Sequence, residues 1–495
     1  LETSLPSCSD KTAKEESQVL SSIYSPLLTD LYQLTMAYGY WKLNIHNQEA
    51  AFHLIFRKNP FNGNYALCCG LGTALDYLSQ WRFRDDDLAY LATLKNVRHE
   101  RMFPQEFLDY LGKLTFSCDI DAIPEGMVVF ANEPLVRIQG PILQCQLIET
   151  ALLNMINFQT LIATKASRVC RAAQGDPVIE FGMRRAQGPD GALSASRAAY
   201  VGGCIATSNT LAGKLYDIPV RGTHAHSWVT AFPNELDAFQ SYASVMPHNC
   251  VLLVDTFNTI EGVKNAINVG KKLRAEGADL IGIRLDSGDM ADLSIKARKL
   301  LDEAGFEKTE ILASNSLDEY AISQLKNQHA KVSSWGVGTN LATAYDYPAL
   351  DGVYKLCALR KPDNTWEYKL KLSEQEVKIS NPGRHQVRRF FCNDHYVMDV
   401  IYDLDIGITD VPEVVLLDKS LEHRKLDDYD GSADLLKPTM RNGKLVDEQP
   451  LIHSTRKQAI EAVNHFYHSH GERPYFVALE KRLFDLKQDL IKKLR

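Results

Sequence analysis

Between residues 178 and 337, short apolar runs alternate with longer stretches whose apolar positions recur at helical spacing. Runs at 178–181, 218–220, 250–254, 280–285, 310–313 and 333–337 predict buried strands. The stretches 194–213, 260–276, 290–304 and 318–328 predict helices, and a long helix over 149–174 leads into the series. Strands recurring about every 25 to 40 residues with a helix between them are the sequence form of βα units with parallel strands. Upstream, the pattern predicts a helix over 27–40, starting near Thr29 or Asp30, and a strand over 51–56. Helical segments follow to residue 110, and several strands of a separate sheet over 119–146. Downstream, it predicts strands at 353–359, 366–372 and 387–391, a linker-like polar stretch over 418–434, and helices over 457–469 and 475–494. The last helix, rich in Lys, Asp and Glu, reads as a solvated surface helix.

Six βα units without a G-x-G-x-x-G turn favour an α/β barrel over an open doubly wound sheet. No internal repeat is visible, which argues against a solenoid. At 495 residues the chain is long enough for two or three domains. The pattern divides into a tail over 1–25, a first part over 26–148, the barrel over 149–350, and a final part over 351–495. The first 22 residues are polar, lack the apolar core of a signal peptide and read as a disordered tail. A chain that starts at Leu1 rather than Met is expected to be trimmed or incomplete.

Composition narrows the function classes. A net charge of -7 and the lack of a long basic run argue against nucleic acid and anionic membrane as partners. No apolar run reaches about 18 residues, so no transmembrane span is expected. Ten scattered cysteines without a C-x-x-C pair read as buried thiols in a reducing compartment, the cytosol.

In a barrel, the carboxyl ends of the strands meet at one mouth, and there this chain carries polar clusters. They are Glu180 to Arg185, Gly222 to His226, Asp255-Thr256, Arg284 to Asp289, Ser314-Asn315-Ser316 and Gly336 to Thr339. Arg184, Arg185 and Arg284 offer planar forks for a carboxylate or phosphate. Gly336-Val337-Gly338-Thr339 offers backbone N–H groups where barrels bind phosphate. Asp286 and Asp289 suit a ribose diol or magnesium. Asp255 is placed to hydrogen-bond a histidine and fix its tautomer. Blander roles stand beside these: Asp289 as the cap of the helix that follows, Arg185 in a surface salt bridge, Glu180 pairing with an arginine.

His224 and His226 lie two apart and share one face of an extended segment. Three readings apply: a seed for a two-metal hydrolase site, core histidines, or one histidine acting on phosphate. The metal reading needs further ligands, and the later strand ends supply none that is a histidine. The phosphate reading agrees with the surrounding arginines.

Residues 28–36 (LTDLYQLTM), 181–194 (FGMRRAQGPDGALS), 222–227 (GTHAHS), 284–289 (RLDSGD) and 336–339 (GVGT) together resemble animal-type nicotinate phosphoribosyltransferases. The resemblance covers nearly the whole chain after the tail. It implies an irregular α/β barrel beside an α/β sandwich domain built from N- and C-terminal segments. It also implies a homodimer with shared active sites.

The implied reaction joins nicotinate to 5-phosphoribosyl 1-diphosphate, giving nicotinate mononucleotide and diphosphate. This is the entry from nicotinate to NAD, coupled to ATP hydrolysis and requiring magnesium or manganese. Carried over by position, His226 is the residue that ATP phosphorylates, with Asp255 beside it. Tyr32 packs on the pyridine ring, from the partner subunit. Thr223, Arg284 and Arg184 bind nicotinate. Asp286, Gly336, Gly338 and Thr339 bind the phosphoribosyl diphosphate, and no metal ligand set is assigned.

Two positions depart from the pattern. Ser227 follows His226 where many microbial members have a glutamate, and His224 matches no fixed family position. The alternatives are a nicotinamide-using relative and a catalytically silent scaffold relative.

Overall fold

Antiparallel pairing joins the two ends of the chain in one sheet. The computed structural model describes residues 24–375, 379–417, 421–471 and 473–495; all but two residues of the expected tail lie outside them. The strand Glu49–Phe56 is flanked by Pro134–Pro141 on one side and Gly352–Arg360 on the other. Seven strands pair in this way, from Trp366–Tyr368 at one edge to Lys444–Leu445 at the other. A second sheet stacks against it, ordered His423–Lys425, Glu413–Leu416, Val477–Glu480, His395–Asp403, His385–Cys392, Gly431–Asp434. Between the two sheets the buried rings of His53 and His385 stack at 4.3 Å, and the His385 amide donates to His53 Nε2 at 3.1 Å.

The central unit is parallel throughout. Its strands run Ala206–Thr207, Val178–Glu180, Ser334–Val337, Glu310–Ala313, Gly282–Leu285, Val251–Leu253. A lone parallel bridge from Thr207 to Val220 extends one edge. The α/β class therefore holds, but the strand ladder does not close: it stays open between Val220 and Val251–Leu253. Amphipathic helices cover the outside, and Asn258, Asp289 and Asp318 cap three of them through their side chains. Ile283 and Leu285 pack outward among these helices, so strand alternation turns Arg284 to the inner face.

Several expected elements differ. The helix over 194–213 is two helices, Gly188–Val201 and Thr210–Tyr216, with the strand Ala206–Thr207 between them. Gly202 and Gly203 break it: Gly203 has φ +117°, and a Cβ on Gly202 would sit 2.4 Å from the Ala163 carbonyl. The strand at 218–220 is reduced to the Val220 bridge. Residues 142–147 are helical rather than strand. The linker-like stretch over 418–434 contains strands His423–Lys425 and Gly431–Asp434. The expected final helix is preceded by a buried strand, Val477–Glu480, whose Glu480 caps the helix Lys481–Leu494. Among the described residues no helix is long and apolar enough to cross a membrane. The nine described cysteines are free thiols.

Candidate active site at the strand ends

Parallel strands collect their carboxyl ends on one side, and there the side chains of Arg284, Asp286, Thr223, His226 and Asp255 meet. Arg284 Nη1 donates to Thr223 Oγ1 at 2.6 Å, and its Nη2 lies 3.6 Å from Asp286 Oδ1. Its Nε is buried without a partner. Burial pushes the Arg284 pKa down; Asp286 and Asp255 oppose this, while the nearby Arg184 guanidinium adds to it. An arginine stays charged even so. The result is a half-buried cation only partly neutralised by its neighbours, a setting that favours an incoming anion.

His226 stands at the first turn of the short helix His226–Thr230. Its Nδ1 is 3.1 Å from Thr256 Oγ1 and its Nε2 is 3.6 Å from Asp286 Oδ2. Asp286 is thus shared between the histidine and Arg284, and Ser314 Oγ also donates to it. The expected bond from Asp255 to a histidine is not formed. Asp255 Oδ2 accepts instead from the Asp286 amide at 2.9 Å and from Ser287 Oγ at 2.6 Å, and its other oxygen is buried without a partner. The neighbouring strand's carboxylate, Asp286, occupies the place beside His226 because its backbone is pinned by Asp255.

Other expected positions fall as follows. Arg184 and Arg185 form an exposed turn of 3-10 helix, with Arg184 electrostatically coupled to Arg284. Among the described residues no arginine pairs with Glu180; it is buried and accepts from Ser196 Oγ, Thr207 Oγ1 and the Gly182 amide. Asp289 caps its helix. Gly336 presents no backbone to the mouth: it is buried within its strand, and a Cβ there would meet the Phe181 ring at 2.6 Å. Gly338 and Thr339 do lie at the strand end, where Thr339 is exposed and starts the helix Thr339–Ala342.

Tyr32 is not brought into this cluster. It is half-exposed on the helix Leu31–Lys42 and lines a shallow cavity of about 390 Å³ with Thr150, Asn154 and Leu350. Another cavity, of about 790 Å³, lies elsewhere, between Ile55, Val353 and the helix Lys481–Leu494; no Asp, Glu, His or Cys is among its described lining residues.

Thr256, Ser287 and Ser314 carry the hydrogen bonds that hold this arrangement, and sequence reasoning gave none of them a role. Their only signal is position, within three residues of a strand's carboxyl end. Asn315 and Ser316 have φ of 83° and 52°, and Asn340 Nδ2 secures the turn by donating to the Ser316 carbonyl at 3.1 Å and the Leu317 carbonyl at 3.2 Å. Two successive non-glycine residues in the left-handed region are costly, and such strain gathers at functional sites.

Two guanidinium groups, two carboxylates and a histidine at the carboxyl end of a parallel sheet define an anion-handling α/β enzyme. The comparisons give the family. Residues 27–157 match the nicotinate phosphoribosyltransferase N-terminal domain, and residues 177–372 match the nicotinate phosphoribosyltransferase family. The chain is 46% identical over 387 residues to the Bacillus subtilis nicotinate phosphoribosyltransferase, covering 78% of this chain and 77% of that one. It is 34% identical over 536 residues to the Caenorhabditis elegans enzyme of that name, covering 95% and 94%. The crystal structure of human nicotinic acid phosphoribosyltransferase superposes with a TM-score of 0.82 at 30% identity, covering 93% of this chain and 99% of that one. The chain belongs to the nicotinate phosphoribosyltransferase family of enzymes.

Proposed function

We propose that this chain joins nicotinate to 5-phosphoribosyl 1-diphosphate, forming nicotinate mononucleotide and diphosphate, and so starts NAD synthesis from nicotinate. The observation that carries the reading is Arg284, a half-buried guanidinium held by Thr223 and left with an unpartnered Nε at the site of a family member. A carboxylate on the pyridine ring satisfies that cation; a neutral carboxamide does not. Arg184 adds positive charge on the same side.

In the reaction, the pyridine nitrogen bonds to the ribose C1 as the bond from C1 to diphosphate breaks, its electron pair leaving with the diphosphate. The chain's part is to align the two substrates and balance charge that moves between them. Gly338 and Thr339 take the 5-phosphate, and Asp286 faces the ribose.

Magnesium, when bound, neutralises the diphosphate. Among the described residues no three His, Cys, Asp or Glu side chains gather as a metal cage. Magnesium held mainly by phosphates needs only one or two carboxylates. Asp255, with a buried and unpartnered oxygen, and Asp286 fit that need.

His226 is the residue that ATP phosphorylates in this reading. Thr256 at Nδ1 leaves Nε2 to form the N–P bond while the γ–β phosphate bond breaks and ADP departs; water later cleaves the N–P bond. The exposed Tyr32 serves the active site of a second copy in a homodimer.

A competition assay with nicotinate and nicotinamide tests the substrate. Preference for nicotinate is expected; preference for nicotinamide overturns the assignment, and no mononucleotide from either, with ATP and magnesium present, favours a silent scaffold.

A further inference from the structure

The ladder of parallel strands is open between Val220 and Val251–Leu253, and the side chain of His224 bonds to the strand itself across that seam, while His226 reaches Thr256 beyond the strand's end. The Leu253 amide donates to His224 Nε2 at 3.1 Å. His224 Nδ1 is 3.3 Å from the Ala225 carbonyl. An amide donor at one nitrogen and a carbonyl at the other assign the tautomer: Nδ1 carries the proton and Nε2 the lone pair. The imidazole is 7% exposed and meets Tyr242 edge-on at 4.8 Å. Burial, with the nearby Arg284 guanidinium, lowers the His224 pKa and so favours the neutral ring, against the Ala225 carbonyl.

The same residue holds the site through its backbone. The His224 carbonyl accepts from Thr223 Oγ1 at 3.2 Å and from Arg284 Nη1 at 3.5 Å. His226, which is half-exposed, follows two residues later. From Val220 to Ser227, His224 is the only buried residue. Gly222 has nothing within 4 Å of where a Cβ would be. The segment that presents Thr223 and His226 is therefore fastened to the Val251–Leu253 strand by the buried His224 imidazole, with the half-exposed His226 to Thr256 contact as a second tie past the strand's end.

We propose that His224 is the positioning residue of this site: its imidazole replaces the missing strand pairing at the seam and sets Thr223, Arg284 and His226 toward one substrate. The inference rests on the nicotinate reading of the site. It separates His224 from a core histidine that merely fills space, because what it supplies is an acceptor at the Nε2 position.

Two variants test it. His224→Leu keeps apolar volume and leaves the Leu253 amide without an acceptor; His224→Gln can put an oxygen near the Nε2 position. Wild-type turnover of nicotinate is measured first; its absence sinks the nicotinate reading, a result distinct from those that follow. With turnover present, His224→Leu is expected to raise KM for nicotinate about tenfold, the equivalent of one buried hydrogen bond. It should also lower phosphoryl incorporation at His226 and speed hydrogen exchange at the Leu253 amide. His224→Gln should restore all three to within about twofold of wild type. A lowered melting temperature in His224→Leu with KM unchanged overturns the proposal, as does a His224→Gln variant no better than His224→Leu.

Discussion

Replacing Arg284 by alanine removes the only guanidinium that is both half-buried and bonded to Thr223. Its side chain is 13% exposed, so water screens it little. Two charge-assisted hydrogen bonds to a carboxylate are worth about 1.5–3 kcal/mol each, and truncating one partner of a buried pair costs about 2–5 kcal/mol. The net loss is smaller than these figures because in the wild type Asp286, 3.6 Å from Nη2, already shares the guanidinium with the incoming carboxylate. A net cost of about 2–4 kcal/mol corresponds to a roughly 30- to 1000-fold fall in kcat/KM for nicotinate. It should fall mainly on KM, because the carboxylate is bound equally in the ground and transition states. The assay is steady-state formation of nicotinate mononucleotide over a range of nicotinate at saturating 5-phosphoribosyl 1-diphosphate. Arg284→Lys should lie between wild type and alanine, since lysine keeps the charge and loses the fork. An unchanged KM for nicotinate with a lowered kcat would refute the reasoning and move Arg284 to the ribose.

Three further outcomes are expected. His226→Ala should abolish stimulation by ATP while leaving basal transfer measurable; full ATP stimulation in that variant would exclude the phosphohistidine. Asp255→Ala should weaken magnesium activation, read as a higher magnesium concentration for half-maximal rate; an unchanged magnesium dependence would remove Asp255 from the metal's surroundings. Stability should fall in acid through His385, whose imidazole burial pushes from 6.5 down to about 4. The unfolded chain binds this proton first, so the contribution is complete above pH 6.5 and is lost as pH falls toward 4, at most about 3 kcal/mol. Thermal midpoints of wild type and His385→Gln should therefore converge across that window, and parallel curves would contradict the assignment.

The sequence makes legible what is local. The helices Thr259–Ala275, Met290–Glu303 and Glu319–Asn327 carry both an apolar stripe and a capping side chain, and their predicted bounds fall within a residue. What it hides depends on partners distant in the chain. Ala206–Thr207 is a strand only because Val178–Glu180 and Val220 lie alongside it; by period alone it continues the helix before it. Val477–Glu480 merges with the helix it caps for the same reason. The candidate site divides in the same way. His226, Arg284 and Thr223 stand out by residue type and position, whereas the exchange of roles between Asp255 and Asp286 is set by the stagger of two adjacent strands. The role of His224 is not legible in this way, because neither a resemblance nor a spacing encodes a gap in a ladder such as the one between Val220 and Val251–Leu253.

The most direct test of the account is the steady-state assay with purified protein, 5-phosphoribosyl 1-diphosphate and magnesium, run with nicotinate in the presence and absence of ATP. Formation of nicotinate mononucleotide that ATP accelerates is the predicted result. Absence of product with nicotinate, or product only with nicotinamide, would contradict it.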